Sequence, residues 1–296
     1  MRQKTSKREK GNVVLFIVEG CSDIKTFITS IPAIYEKIFG ESIKVKFATI
    51  DEDAKKKHLK KYYQKKKERG DIEINENKLE KINIEMSGGD ITIIQGIYKN
   101  NIEEKIYELI VKPFLRRLEC IKKVYYEKDI SEIIQIVDLD GVYIPDCAVI
   151  ENIDCEKFIY NDDGIVCNSI DNAIYRNRRK REVIDKLASM SSIKIKSKTV
   201  KYSLYFFSSN LDHFIHNNAN LPHVDKTRKA DEFSRKCSIE GIDYLFKQIC
   251  EDKDSLLNMN YQESWDYIRN RETMESIKRH TNFNILLNKL KEQILA

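Results

Sequence analysis

The chain has 296 residues, enough for one large domain or two modest ones around a buried core. Hydrophobic residues make up 41% and charged residues 33%, which reads as a soluble globular protein, and no apolar run approaches the ~20 residues that a membrane span needs. Seven cysteines, odd in number and without CxxC pairs, argue against a disulfide framework and a zinc ribbon and fit reduced thiols in a cytoplasmic protein. The net charge of +5 is modest but concentrated in three basic clusters, which point to a phosphate-bearing partner.

Residues 1–12, MRQKTSKREKGN, read as a basic tail without the small-residue cleavage site of a secretory signal. Val13 to Val18 predicts a first strand, β-branched and apolar, with Glu19 and Gly20 directly behind it. Ser22 or Asp23 is placed to N-cap a helix bearing Ile24, Phe27, Ile28 and Ile31, which Pro32 kinks or splits before Ile34, Tyr35 and Ile38. Ile43 to Ile50 alternates apolar residues with lysine, as a half-exposed strand does. The lysine-rich stretch to Arg69 predicts an exposed helix with Leu59, Tyr62 and Tyr63 on its apolar side, inside an insertion near 51–80. Ile82 to Met86 is another short alternating segment, ending at Ser87-Gly88-Gly89-Asp90, so the second strand of the sheet is either this one or Ile43 to Ile50.

Asn101 to Leu118 predicts an amphipathic helix that crosses to a core strand, Ile133 to Val137, whose end carries Asp138, Leu139, Asp140 and Gly141. This strand–helix–strand rhythm predicts an α/β fold with a parallel sheet flanked by helices. From Gly141 to Asn172 the pattern loosens, with Pro145 and Asp162-Asp163-Gly164 as turn signals. Asp171 or Asn172 then caps a basic helix through Met190, and Tyr202 to Phe207 predicts a last strand leading into Ser208 to Asn217. Helical spacing over Phe233 to Ile249, Tyr261 to Ile268 and Ile285 to Leu295 predicts an α-helical C-terminal appendage, 211–296, with Trp265 in its packing.

Ligands of an open parallel sheet bind outside the carboxyl ends of its strands. If the first strand and the Ile133–Val137 strand are neighbours, Glu19, Asp138 and Asp140 converge on one crevice. Three carboxylates with no basic partner repel one another unless a hard cation such as Mg²⁺ or Mn²⁺ sits between them. Asp138 and Asp140, alternating along a strand, point the same way. Asp23 either supports Glu19 or serves as a first-turn acid, and Asp146 is a weaker addition. Asp212 and His213 suit a second ligand set or a general acid, whereas His216 reads as the polar face of a helix capped by Ser209 or Asn210.

The hhhEG turn at Glu19-Gly20 followed by Asp138-Leu139-Asp140 resembles the Toprim domain of topoisomerases, primases and OLD-family nucleases, over roughly residues 12–210. Val18 to Asp23 looks most similar to the OLD-like and abortive-infection nucleases. The resemblance implies a Toprim-like (Rossmann-like) catalytic domain over 13–210 and metal-dependent phosphodiester hydrolysis of DNA or RNA in bacterial anti-phage defence. It also implies that Glu19 is a metal ligand or general base. Lys55, Lys56, Lys57, Lys60 and Lys61, with Arg176, Arg178 and Arg179, would then grip the nucleic-acid backbone. No Walker A sequence is present, so an ATPase or sensor partner would be a separate protein, and a homo-oligomer is compatible with the reading.

Two other readings stay open. Val137 to Pro145 also resembles the first motif of haloacid-dehalogenase-like phosphatases, with Asp138 as nucleophile and Asp140 as general acid. That reading leaves Glu19 unexplained, and the later Ser/Thr, Lys and paired Asp of such phosphatases do not follow in order. The other is a non-catalytic effector that binds nucleic acid or nucleotide, for which clustered carboxylates beside phosphates would be ill suited.

Overall fold

The computed structural model describes residues 12–69, 89–121, 125–252 and 254–296. The strands are β1 (Asn12–Ile17), β2 (Ile43–Ala48), β3 (Ile130–Asp138), β4 (Val149–Glu151), β5 (Ile159–Asn161), β6 (Gly164–Cys167), β7 (Ser192–Ile195) and β8 (Lys198–Phe207). The main sheet runs β2-β1-β3-β8-β7, and its first four strands are mutually parallel. β7 folds back antiparallel on β8, so the α/β sheet is mixed where the sequence predicted a parallel one. β1 and β3 are neighbours, and the strand beside β1 on its other side is Ile43–Ala48. The alternating segment 82–86 and the tail before residue 12 lie outside the described residues.

The helices are α1 (Cys21–Phe27), α2 (Ser30–Phe39), α3 (Glu52–Glu68), α4 (Ile102–Ile106), α5 (Lys112–Cys120), α6 (Ile170–Ala188), α7 (Leu211–His216), α8 (His223–Glu240), α9 (Ile242–Cys250), α10 (Tyr261–Arg269) and α11 (Phe283–Leu295). A π turn over Tyr107–Val111 joins α4 to α5. The break between α1 and α2 falls at Ile28–Thr29, which leaves Pro32 in the first turn of α2, where its missing N–H costs nothing. Gly20 is the N-cap of α1, and Asp23 reaches back from the third helical position to accept the Gly20 N–H. Ser169, two and three residues ahead of the predicted caps, begins α6 and accepts the Asn172 N–H.

Both faces of the sheet are covered, which is why β1 reads as an unbroken apolar run. Leu15, Ile17, Ile133, Leu204 and Phe206 face a core completed by α3, α4 and α6. Val14, Phe16, Ile134, Tyr205 and Phe207 face the other, completed by α1, α2, α8 and α9. The C-terminal helices are built into these two cores. The Trp265 ring of α10 lies 4.8 Å from Phe206, and Phe283 and Leu287 of α11 are fully buried on the opposite face. Between them, Thr281 Oγ1 donates to the Phe206 carbonyl and Asn282 Oδ1 accepts the Phe206 N–H. Separate from the main sheet, β4-β6-β5 forms a small three-stranded sheet over a core that includes Ile144, Ile165 and Ala173.

Phe16 is fully buried near the C-terminal end of β1 against Phe47 and Tyr35. Phe16→Ala is expected to destabilise the protein by about 3–5 kcal/mol through lost burial and the cavity left behind. Urea unfolding would register this as a lower midpoint at an unchanged slope.

Candidate active site

Carboxylates stitch together the ends of three neighbouring parallel strands. Val18 continues β1 by donating its N–H to the Ala48 carbonyl, and Glu19 follows at the strand tip. Glu19 Oε1 accepts the Asp138 N–H at the tip of β3, at 2.9 Å. Asp138 Oδ1 in turn accepts the Leu211 N–H at 2.9 Å, just beyond β8. The Glu19 carbonyl accepts Thr49 Oγ1 at 2.9 Å, and Gly89 packs so closely that a Cβ there would lie 1.5 Å from that oxygen. Only glycine fits such an approach.

Asp140 departs from the expected strand alternation. β3 ends at Asp138, and Asp140 has left-handed backbone (φ 52°), followed by Gly141 at φ 64°. Aspartate tolerates that conformation better than most residues. The turn sends the Asp140 carboxylate to Lys180 of α6, whose Nζ lies 2.7 Å away, with the Arg176 guanidinium at 3.7 Å. Lys180 has no solvent exposure and also pairs with Asp90 at 2.6 Å. Asp90 is fixed by Thr92, which donates its N–H and hydroxyl to Oδ1. The acidic crevice therefore does contain basic partners, contrary to the sequence-based expectation.

The charges respond to this arrangement. Burial, and then Asp90, Asp138 and Asp140, push the Glu19 carboxyl well above the usual range despite Lys180. Asp138 is pushed up by burial, Asp23 and Asp140. Burial also acts on Asp140, but Lys180 and Arg176 overcome it and hold that carboxyl below its ordinary value. Lys180 is held above its ordinary value because Asp140, Asp90 and Glu19 outweigh its burial.

A second acidic group lies on the α1 and α7 side. Asp23 is pushed up to about 6 by burial, with Asp212 adding to the shift against the Gly20 N–H that opposes it. Asp212 pairs with Lys226 of α8 at 2.6 Å. Asn210 caps α7 by accepting the His213 N–H. His213 Nδ1 is buried without a partner among the described residues, and burial holds this imidazole and that of His216 below the ordinary value. Asp146 pairs with Arg271 at 2.6 Å.

The basic residues divide. Lys56, Lys57, Lys60 and Lys61 are exposed on α3, but Lys55 is buried and pairs with Glu52 at 2.8 Å. On α6, Arg178 is exposed, whereas Arg176 turns to Asp140 and Arg179 donates to the Ile94 and Ile97 carbonyls. Nothing in the sequence singles out Asp90, Lys226 or Tyr160, which lies beside Asp140 and Arg176, and Lys180 stands there only as part of the basic run from Arg176 to Arg181. One signal for Lys180 was present: Ala173, Asn177, Lys180, Ile184 and Leu187 recur at helical spacing, which puts the lysine on the buried stripe of α6.

The donor set suited to a hard cation is Glu19 with Asp138. Each uses one oxygen to accept a backbone N–H, and no donor among the described residues meets the second. Among the described residues, no three His, Cys, Asp or Glu side chains are grouped as a metal cage. A carboxylate pair still fits Mg²⁺, which is commonly held by one or two carboxylates, waters and substrate phosphates. Comparison with protein-family models, curated proteins and solved structures gave no match. Among the described residues no helix is long and apolar enough to cross a membrane.

Two predictions follow from these charges. Lys180→Met would leave Asp90 and Asp140 facing each other with Arg176, 3.7 Å from Asp140, as the remaining cation, and is expected to destabilise the fold by about 3–5 kcal/mol at neutral pH. The deficit should shrink in acid, where the stranded carboxyls can protonate, and paired unfolding curves at two pH values would measure it. For Asp23 the folded value of about 6 stands above the ordinary 3.8, so the native state binds more protons between those values and stability falls as pH rises through that window. Asp23→Asn should therefore add about 1–2 kcal/mol at pH 7 in the presence of EDTA and almost nothing at pH 4.

Proposed function

We propose that the protein is a divalent-metal-dependent nuclease of the Toprim type, acting on phosphodiester bonds of DNA or RNA in anti-phage defence. The observation that carries the reading is the Glu19 carboxylate lying against the Asp138 backbone at adjoining parallel strand tips, with the second oxygen of each acid meeting no donor among the described residues. The order of the hhhEG and DxD motifs, and their resemblance to abortive-infection nucleases, supports it.

In this reading Glu19 and Asp138 hold Mg²⁺ or Mn²⁺. The bound ion supplies Lewis-acid polarisation of a phosphate oxygen and a water of lowered pKa. Lys180 and Arg176 keep Asp140 ionised and place positive charge beside the carboxylates, which offsets the repulsion that a phosphate would meet there. Because Glu19 and Asp138 are both pushed upward, they surrender protons when the cation binds, so cation affinity and cleavage should rise with pH. An ATPase or sensor that triggers the activity would be a separate partner.

A second reading, the haloacid-dehalogenase-like phosphatase, has one observation in its favour. Lys180 meets the DLDG acid, and Ser209, whose carbonyl accepts the Asp140 N–H, has a buried hydroxyl without a partner among the described residues at the tip of β8. It still assigns nothing to Glu19.

The test is purified protein with Mg²⁺ or Mn²⁺, offered plasmid DNA, single-stranded DNA and total tRNA. Glu19→Ala, Asp138→Asn and Asp140→Asn should each lower cleavage by about 100-fold or more while nucleic-acid binding persists. Phosphomonoester hydrolysis with an aspartyl-phosphate trapped on Asp138, indifferent to Glu19→Ala, would replace the nuclease by the phosphatase.

A further inference from the structure

We infer that the groove between α3 and the α4–α5 arm binds the backbone of a single-stranded nucleic acid, whose bases stack on the adjoining Tyr98–Arg179–Tyr175 platform. The inference deepens the nuclease reading by naming the form of the substrate, and it rests on that reading for the strand's destination.

The groove encloses about 800 Å³. One wall carries Lys57, Lys61 and Lys65, exposed and four residues apart on α3. At 1.5 Å rise per residue they form a row with a step of about 6 Å, the scale on which backbone phosphates repeat. Lys112 and Arg116, also four apart and exposed, face them from α5. None of these five cations pairs with an acid among the described residues. The acids of the groove are largely committed already: Asp51 to Arg117 at 2.6 Å, and Glu104 and Glu108 to Lys105. What remains is a surplus of solvated positive charge in a concave site, which suits a polyanion.

Aromatic faces lead from the groove toward the acidic crevice. Tyr62 lines the groove, and its hydroxyl lies 3.4 Å from that of Tyr98. Tyr98 and Tyr175 are 42% and 56% exposed, so part of each ring is open to solvent. Between them stands the Arg179 guanidinium, 5.5 Å from the centre of one ring and 5.8 Å from the other, fixed by the Ile94 and Ile97 carbonyls. The next residue, Lys180, touches Asp140. Basic side chains that track a backbone, beside exposed aromatic and guanidinium planes, recognise unstacked bases; a duplex hides its base faces.

The experiment measures binding without cleavage. Fluorescein-labelled oligo-dT and oligo-U of about 20 nucleotides, and a hairpin duplex of equal length, are titrated in EDTA and read by fluorescence anisotropy. The oligonucleotides should bind more tightly than the hairpin, and affinity should fall about 10- to 100-fold between about 50 and about 200 mM salt. K57E/K61E/K65E should weaken single-strand binding about tenfold or more and flatten the salt dependence. Y98A/Y175A should weaken it about tenfold and leave hairpin binding nearly unchanged. Thermal melts check that each variant folds; should the triple variant not fold, R116E and Y98A/Y175A carry the test. Hairpin binding as tight as single-strand binding, or folded variants that bind like the wild type, would overturn the inference. A preference between oligo-dT and oligo-U assigns DNA or RNA, and either supports it. Binding as expected in EDTA with no cleavage in Mg²⁺ or Mn²⁺, and none when candidate ATPase or sensor partners are added, would sink the nuclease reading alone, and cleavage with unaffected groove variants would sink the groove alone.

Discussion

Lys180 carries a positive charge into a place without solvent, and the acidic edge of the sheet is organised around satisfying it. Burying an unpaired ammonium costs several kcal/mol even after relaxation, so the arrangement persists only with carboxylates in contact. Asp90 and Asp140 meet it at 2.6 and 2.7 Å. They come from separate parts of the chain, the segment after Gly89 and the turn after β3, and both must be drawn to α6. The left-handed backbone at Asp140 is part of the same requirement, since a continued strand would aim that carboxylate elsewhere. With Asp140 taken up by Lys180 and Arg176, Glu19 and Asp138 are left at the strand tips, each with a second oxygen that meets no donor among the described residues.

Those two acids have a structural role at the strand tips, and the proposed chemistry would add a second. Glu19 accepts the backbone N–H at the tip of β3 and Asp138 that of Leu211 at the start of α7, an interaction worth about 1.5–3 kcal/mol when the acceptor is charged. Each also stands close to further carboxylates, which works against its ionised form. Clustered acids of this kind are a poor solution for stability alone. Their convergence at a strand-tip crevice is the sort of local conflict that functional sites maintain.

What the sequence made legible depended on how local each cause was. The apolar run before Glu19 and the one before Asp138 each declare a core strand, and strand polarity then carries both acids to the same edge. Gly20 as a cap was missed because Asp23, the better capping residue by type, performs its task from the third helical position. β4, β5, β6 and β7 have three or four residues each, too short to show a period beside the surrounding turns. The basic run from Arg176 looked uniform in sequence, yet the helix turns Lys180 and Arg176 inward and Arg178 outward, a distinction set by rotation about the helix axis. Asp90 and Lys226 gave no local sign at all, because the partner of Asp90 lies 90 positions on at Lys180, and the pairing of Lys226 with Asp212 depends on how α8 folds back beside α7.

The parallel order of the sheet has a consequence for biosynthesis. The Glu19–Asp138 contact joins residues 119 positions apart, and the Asp138–Leu211 contact spans a further 73. Closing loops of that size delays such contacts relative to local helices, and domains of high contact order fold slowly. Lys226, paired with Asp212, extends the constellation further still. A nascent chain that has not emerged past Asp138 has β1 and its acid without β3, and one that has not emerged past Leu211 still lacks the Asp138–Leu211 contact. Chemistry that depends on this edge is therefore withheld until most of the polypeptide has emerged, and a prematurely terminated chain carries the motifs without the assembled centre.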